Sequence, residues 1–188
     1  MSRRFFDLFD DMSVPRRWVL GELMDAQGRE LDDPWQFRAG CAVRVDERLK
    51  VSVEVPGRAL DFSFAGMGTP IVHVRAASVF AELAPEDVQL IPVDVEGHPE
   101  QYLILVATKL IRCIDEKASQ VQLWRPEDGL PEKVGKYYSV DGMRVDKSKI
   151  GNAKVLRTEG WDIALIVSED IKDALERIGA TGTRFTEV

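Results

Sequence analysis

Two histidines, two cysteines and several runs of adjacent acids are the side chains in this sequence that could carry chemistry. A bound metal needs His, Cys or carboxylate ligands at set spacings. His73 lies in the apolar stretch Ile71–Val74 and His98 in a turn, and no HExxH, CxxC or His-rich pattern joins them. Asp94 and Glu96 share one face of a strand, because residues two apart point the same way. They are the acids best placed for a hydrolase-like role. Cys113 sits among Leu110, Ile111 and Ile114 and reads as a packed thiol, and Cys41 also has apolar neighbours. No serine stands in a GxSxG elbow. The pairs Asp10-Asp11, Asp32-Asp33, Asp115-Glu116 and Glu127-Asp128 have the composition of a glycosidase carboxyl pair, yet adjacent acids more commonly mark a solvated turn. Gly66-Met67-Gly68 lacks the spacing of a phosphate loop. The residues name no reaction, and neither a metal nor a cofactor is expected.

Aromatic residues beside acids are more informative. Trp35 follows Asp32-Asp33-Pro34, and Trp124 precedes Arg125-Pro126-Glu127-Asp128. Tryptophan exposed among turn-forming residues is enriched at binding hot spots. The plainer reading is that each indole caps the core from its loop, since tryptophan is mostly buried. Asp32, Asp33 and Trp35 form one candidate contact loop, and Trp124, Glu127 and Asp128 a second.

The elements that would position these loops are mainly strands. Phe5, Phe6, Leu8 and Phe9 form an apolar opening strand and Trp18–Leu20 a second, and Leu49, Val51, Val53 and Val55 alternate with polar residues as in a half-buried strand. Val88–Val95 and Tyr102–Thr108 are strong strands around the turn Glu96–Glu100, and a further strand is expected over Leu110–Ile114. Ala76, Val79, Phe80 and Leu83 give the apolar face of a helix near 76–84. A second helix, over 169–178, follows the strand Ile163–Val167. Ser168 stands at its cap position, Ile171, Ala174, Leu175 and Ile178 line its buried face, and Gly179 offers a left-handed exit to a strand at 183–185. Residues 125–152 read as loops and short strands. The sum is an α+β fold, mostly antiparallel strands with two short helices. Gly66–Pro70 breaks the pattern and divides a β-rich lobe, 1–70, from an α+β lobe, 71–188, the two possibly one continuous domain.

With 45% hydrophobic and 30% charged residues, the chain has the composition of a folded globular protein. The formal charge is −7: twelve acids against ten bases over 1–70, and twenty against fifteen over 71–188. Such a chain repels phosphate backbones, so no direct nucleic-acid binding is expected, whereas a basic protein partner is drawn to it. No apolar segment is long enough to span a membrane, and the acids at Asp7, Asp10 and Asp11 are foreign to a signal peptide. A cytoplasmic protein is expected.

Three stretches resemble the immunity-protein family of bacterial polymorphic toxin systems, class eleven. The first is Leu31–Gly40, with Asp32-Asp33-Pro34-Trp35-Gln36-Phe37 at its centre. The second is Tyr102–Thr108 with Ile111–Ser119, where the family tends to show Asp-Cys-x-Asp-x-x-x-Ser. Arg112 here replaces the first Asp, and Cys113, Asp115 and Ser119 stand in place. The third runs from Val167 to Phe185. The resemblance implies a non-enzymatic cytoplasmic protein that binds and neutralises a cognate toxin, typically one encoded adjacently. Asp115 and Ser119 read as holding the turn after a core strand. The alternatives left by the residues themselves are a hydrolase on an unfamiliar scaffold, using Asp94 and Glu96, and a small-ligand-binding regulatory module.

Overall fold

The computed structural model describes residues 3–188. After an opening strand, β1 (Phe5–Asp10), six strands close into a barrel: β2 (Val19–Met24), β3 (Leu49–Val55), β4 (Phe62–Ala65), β5 (Thr69–His73), β6 (Val88–Val95) and β7 (His98–Ala107). Their order around the barrel is β2-β3-β6-β7-β5-β4. The β3/β6 and β2/β4 contacts are parallel and the other four antiparallel. The remaining strands are β8 (Leu110–Ile111), β9 (Gln120–Leu123), β10 (Tyr137–Asp141), β11 (Val155–Thr158), β12 (Trp161–Ser168) and β13 (Thr183–Glu187). Five strands form a second sheet in the order β13-β1-β12-β11-β8, while β9 and β10 pair as a separate two-stranded ribbon. Two helices, α1 (Val74–Leu83) and α2 (Glu169–Arg177), complete the α+β architecture.

The unbroken apolar run in β7 follows from burial on both sides. Tyr102, Ile104 and Val106 point into the barrel with Trp18, Phe37 and Val51. Leu103, Leu105 and Ala107 point outward, beneath α1, α2 and the second sheet, into a cluster with Phe6, Phe80, Leu165 and Leu175. A third cluster, with Phe5, Cys113, Leu156 and Ile166, covers the other face of the second sheet. Strand β1 lies between β12 and β13 and is antiparallel to both, so the expected C-terminal strand–helix–strand unit is split by the chain's first strand.

Local details depart from expectation for identifiable reasons. The α1 helix begins at Val74, earlier than the apolar pattern indicates, because His73 Nδ1 accepts the Arg75 N–H at 3.3 Å. Ser168 occupies the N-cap of α2, but its buried hydroxyl has no hydrogen-bond partner among the described residues. Arg4 holds that helix start instead: its carbonyl accepts the Glu169 N–H, and its guanidinium pairs with the Glu169 carboxylate. Gly179 leaves the helix with φ +64° as expected. The strand after Lys109 is only Leu110–Ile111 rather than Leu110–Ile114. The Gly66–Gly68 turn joins β4 to β5, two paired barrel strands, so residues on both sides of the proposed lobe boundary enter the barrel.

Two charged groups lie deep in the second sheet. Asp7 of β1 is 6% exposed, and its Oδ1 has no hydrogen-bond partner among the described residues. Burial pushes its carboxyl up to about 7, against weaker opposition from the Leu165 backbone and the Arg157 charge. Arg157 of β11 is wholly buried. Its Nη1 donates to the Asp162 and Ile163 carbonyls, both at 3.2 Å, and Nε and Nη2 have no partner among the described residues.

Candidate partner-binding groove

The Asp32–Trp35 segment folds as its residue types dictate. Asp33 Oδ1 accepts the Trp35 N–H at 3.0 Å, and Pro34 supplies a fixed φ at the first position of a 3-10 turn, Pro34–Arg38. Phe37 anchors the turn in the barrel core and leaves Trp35 44% exposed on the outside. The Arg38 guanidinium covers the Trp35 ring at 4.7 Å, donates to the Met67 carbonyl at 2.6 Å and lies 3.7 Å from Asp162. This turn therefore ties the barrel to the β11–β12 turn.

Trp124 is placed by the β9–β10 ribbon. Its N–H donates to the Lys136 carbonyl, and Asp128 Oδ2 accepts the Arg125 N–H at 2.8 Å, closing a short 3-10 turn at Pro126–Asp128. The Trp124 ring meets Tyr138 edge to face at 4.7 Å and carries the Lys133 ammonium at 4.9 Å. Tyr137 fastens the ribbon to the rest of the fold. Its N–H donates to the Gly160 carbonyl at 3.1 Å, and its hydroxyl donates to Glu116 Oε1 at 2.7 Å. Burial first, and that bond second, push the phenol up to about 12.

These anchors leave an open groove of about 840 Å³ between the 3-10 turn, the ribbon and the β11–β12 turn. Trp35, Trp124, Trp161, Leu110 and Ile163 line it, with Arg38, Lys133, Lys136, Glu159 and Asp162 among the charged residues. A neighbouring groove of about 770 Å³ shares Trp124 and adds Leu123, Val134 and Tyr138. Ten large apolar side chains are exposed among the described residues, and six of them line these two grooves. This gathering of exposed apolar side chains makes the two grooves the candidate interaction surface, whereas exposed apolar residues scattered singly carry no meaning.

The structure thus brings Trp35 and Trp124 into one groove from loops almost ninety positions apart in sequence. The acids beside them have a different place. Asp33 and Asp128 accept backbone N–H groups of their own turns, and Asp32 and Glu127 are exposed. Trp161, Leu110, Ile163, Lys133 and Lys136 were not among the residues picked out from the sequence. Trp161 beside the turn glycine Gly160 carried the same Trp-at-a-turn signal that picked out Trp35.

The other candidates resolve separately. Asp94 pairs with Arg48 at 2.7 Å, and Glu96 accepts the Val53 N–H, both exposed. Cys41 is exposed rather than packed, because it follows the 3-10 turn on an irregular surface segment, while Cys113 is buried. Asp115 Oδ1 accepts the Lys117 N–H at 3.0 Å and so holds the turn expected there, whereas Ser119 Oγ accepts the Arg144 N–H at 2.9 Å and ties that turn to a segment 25 positions on. Among the described residues no three His, Cys, Asp or Glu side chains cluster as metal ligands, and no helix is long and apolar enough to cross a membrane.

Compared with known families, the chain matches the model of the immunity protein family (Imm11) over residues 15–188. No curated protein matches it.

Proposed function

The chain belongs to the immunity protein family (Imm11), and from that premise we propose that it neutralises a cognate bacterial toxin in the cytoplasm by non-covalent binding, without catalysis of its own. The supporting observation is the groove on which the exposed aromatic and aliphatic side chains converge at Trp35 and Trp124. Neutralisation must outlast toxin delivery, which demands slow dissociation. Desolvated aromatic anchors supply this better than exposed charge pairs do. The formal charge of −7 adds long-range attraction for a basic toxin, raising the encounter rate. Asp32, Asp33, Glu127 and Asp128 lie in the loops that carry the two tryptophans, and in this reading they form the polar rim around the aromatic anchors.

The test is co-expression with the toxin domain encoded beside this gene, scoring survival and co-purification. Trp35→Ala with Trp124→Ala is expected to weaken binding by about 2 kcal/mol or more and to lose protection while the protein stays folded. The acid pairs changed to alanine should act mainly on the association rate and its salt dependence. Full protection by the double tryptophan variant would remove the groove from the reading. Failure of the unaltered protein to bind or protect would remove the toxin itself.

A further inference from the structure

The groove's charge differs in sign from the chain's. Three cations, Arg38, Lys133 and Lys136, line it against two acids, Glu159 and Asp162, in a protein of formal charge −7. Arg38 is shared with Asp162, but neither Lys133 nor Lys136 has a carboxylate within salt-bridge distance among the described residues, and both are exposed. Two of the three indoles also carry a cation already. Arg38 lies over Trp35 and Lys133 over Trp124. A partner's lysine or arginine approaching either ring would meet a like charge, so cation–π recognition of a basic segment is disfavoured at these two rings. What the groove offers a partner is apolar surface at Trp161, Leu110 and Ile163, beside two ammonium groups and one exposed carboxylate. Lys133, Lys136 and Glu159 lack salt-bridge partners among the described residues, which leaves one positive charge in excess.

We propose that this groove receives an apolar side chain of the toxin flanked by a carboxylate, the apolar group seated against Trp161 and Ile163 and the carboxylate at Lys133 and Lys136. This rests on the reading that the partner is a toxin, and it refines that reading. The overall negative field draws a basic toxin from a distance, while the contact in the groove is made by an acidic, apolar segment of it. The two roles are compatible, because steering depends on the summed charge and docking on the charges within a few ångströms.

The probe is the adjacently encoded toxin domain, inactivated by substitution and purified, with affinity measured between 50 and 500 mM salt, a range of roughly 14 to 4 Å in screening length. K133E/K136E reverses both charges on exposed side chains, so folding is expected to survive and is checked by thermal unfolding. The proposal expects this variant to bind roughly tenfold or more weakly, with a flattened salt dependence. Ile163→Asp, which removes apolar surface and repels a carboxylate, should weaken binding as well. A groove serving a basic segment gives the opposite sign, since K133E/K136E would then bind more tightly. Unchanged or tighter binding by K133E/K136E overturns the proposal while leaving the toxin reading intact. No binding by the unaltered protein overturns both.

Discussion

Asp7→Asn should make the protein more stable above neutral pH and less stable in acid. Asp7 is buried in the middle strand of β13-β1-β12, with one oxygen lacking any hydrogen-bond partner among the described residues, and burial raises its carboxyl from 3.8 to about 7. Its charged surroundings are Arg157, itself lowered to about 10 by burial and the nearby Arg38, with Asp162 acting in the opposite direction. A carboxyl raised in the folded state is protonated there while the unfolded chain is ionised. Stability therefore falls as pH rises from about 4 through about 7, and levels off above that. At about 1.4 kcal/mol per tenfold change in proton activity, the full span is about 4 kcal/mol, an upper bound that relaxation and water entry reduce. Asparagine has no charge to desolvate, but its NH₂ group brings a new buried donor that costs about 1–3 kcal/mol if unpaired. The expected outcome is a variant about 1–3 kcal/mol more stable than the parent at pH 8, and less stable by up to about 1–3 kcal/mol at pH 4, where the cost of the amide donor remains and the ionisation gain is nearly gone. Urea unfolding at pH 4, 5, 6, 7 and 8 measures both, and the decisive quantity is the difference in slope. Parallel curves for the two proteins across that range would refute the argument that Asp7 ionises at a cost inside the fold.

Two further outcomes follow from burial and backbone geometry. Cys41 is exposed and Cys113 is buried, with its thiol pushed up to about 11 by desolvation, so a thiol-specific chromogenic reagent should titrate one group per native chain and two after denaturation. Gly182→Ala should destabilise by about 2 kcal/mol or more, read as a lowered thermal midpoint. The glycine has φ +86°, an added Cβ collides with the Phe62 carbonyl oxygen, and the Gly182 carbonyl accepts the Asp11 N–H at 2.8 Å.

Much of the fold was legible because periodicity reports burial directly. The alternation over Leu49–Val55 became β3, the run at 102–107 became the doubly covered part of β7, and the spacing of Ile171, Ala174 and Leu175 became the buried face of α2. What periodicity cannot carry is which surfaces meet. Closure of the barrel rests on a parallel contact between Leu20 and Ala65, and the C-terminal unit is completed by a strand from the opposite end of the chain. The groove is of the same kind. Trp35 and Trp124 were recognisable one by one, but their convergence depends on Tyr137 binding Gly160 and on Arg38 reaching Asp162, contacts between segments that no local pattern relates. Lys133 and Lys136 had no signal at all, since a lysine in a loop is ordinary until its neighbours are known.

The acids show why charge counted along a chain misleads about charge at a site. Asp11, Asp25, Asp33, Asp115 and Asp146 each accept the backbone N–H of the residue two positions on. This is the short polar turn that aspartate forms better than any apolar residue. For Asp11, Asp25 and Asp146, hydrogen bonds with such turn residues also hold the carboxyl below its ordinary range. Five of the thirty-two acids are thus placed by the requirements of turn formation, in segments far apart in the sequence. In the proposed function the net negative charge acts as a field felt at a distance, which accelerates encounter with a basic partner. In the proposed function, discrimination among partners falls to the groove at Trp35 and Trp124, because a field set by net charge distinguishes basic proteins poorly and a shaped groove distinguishes them well.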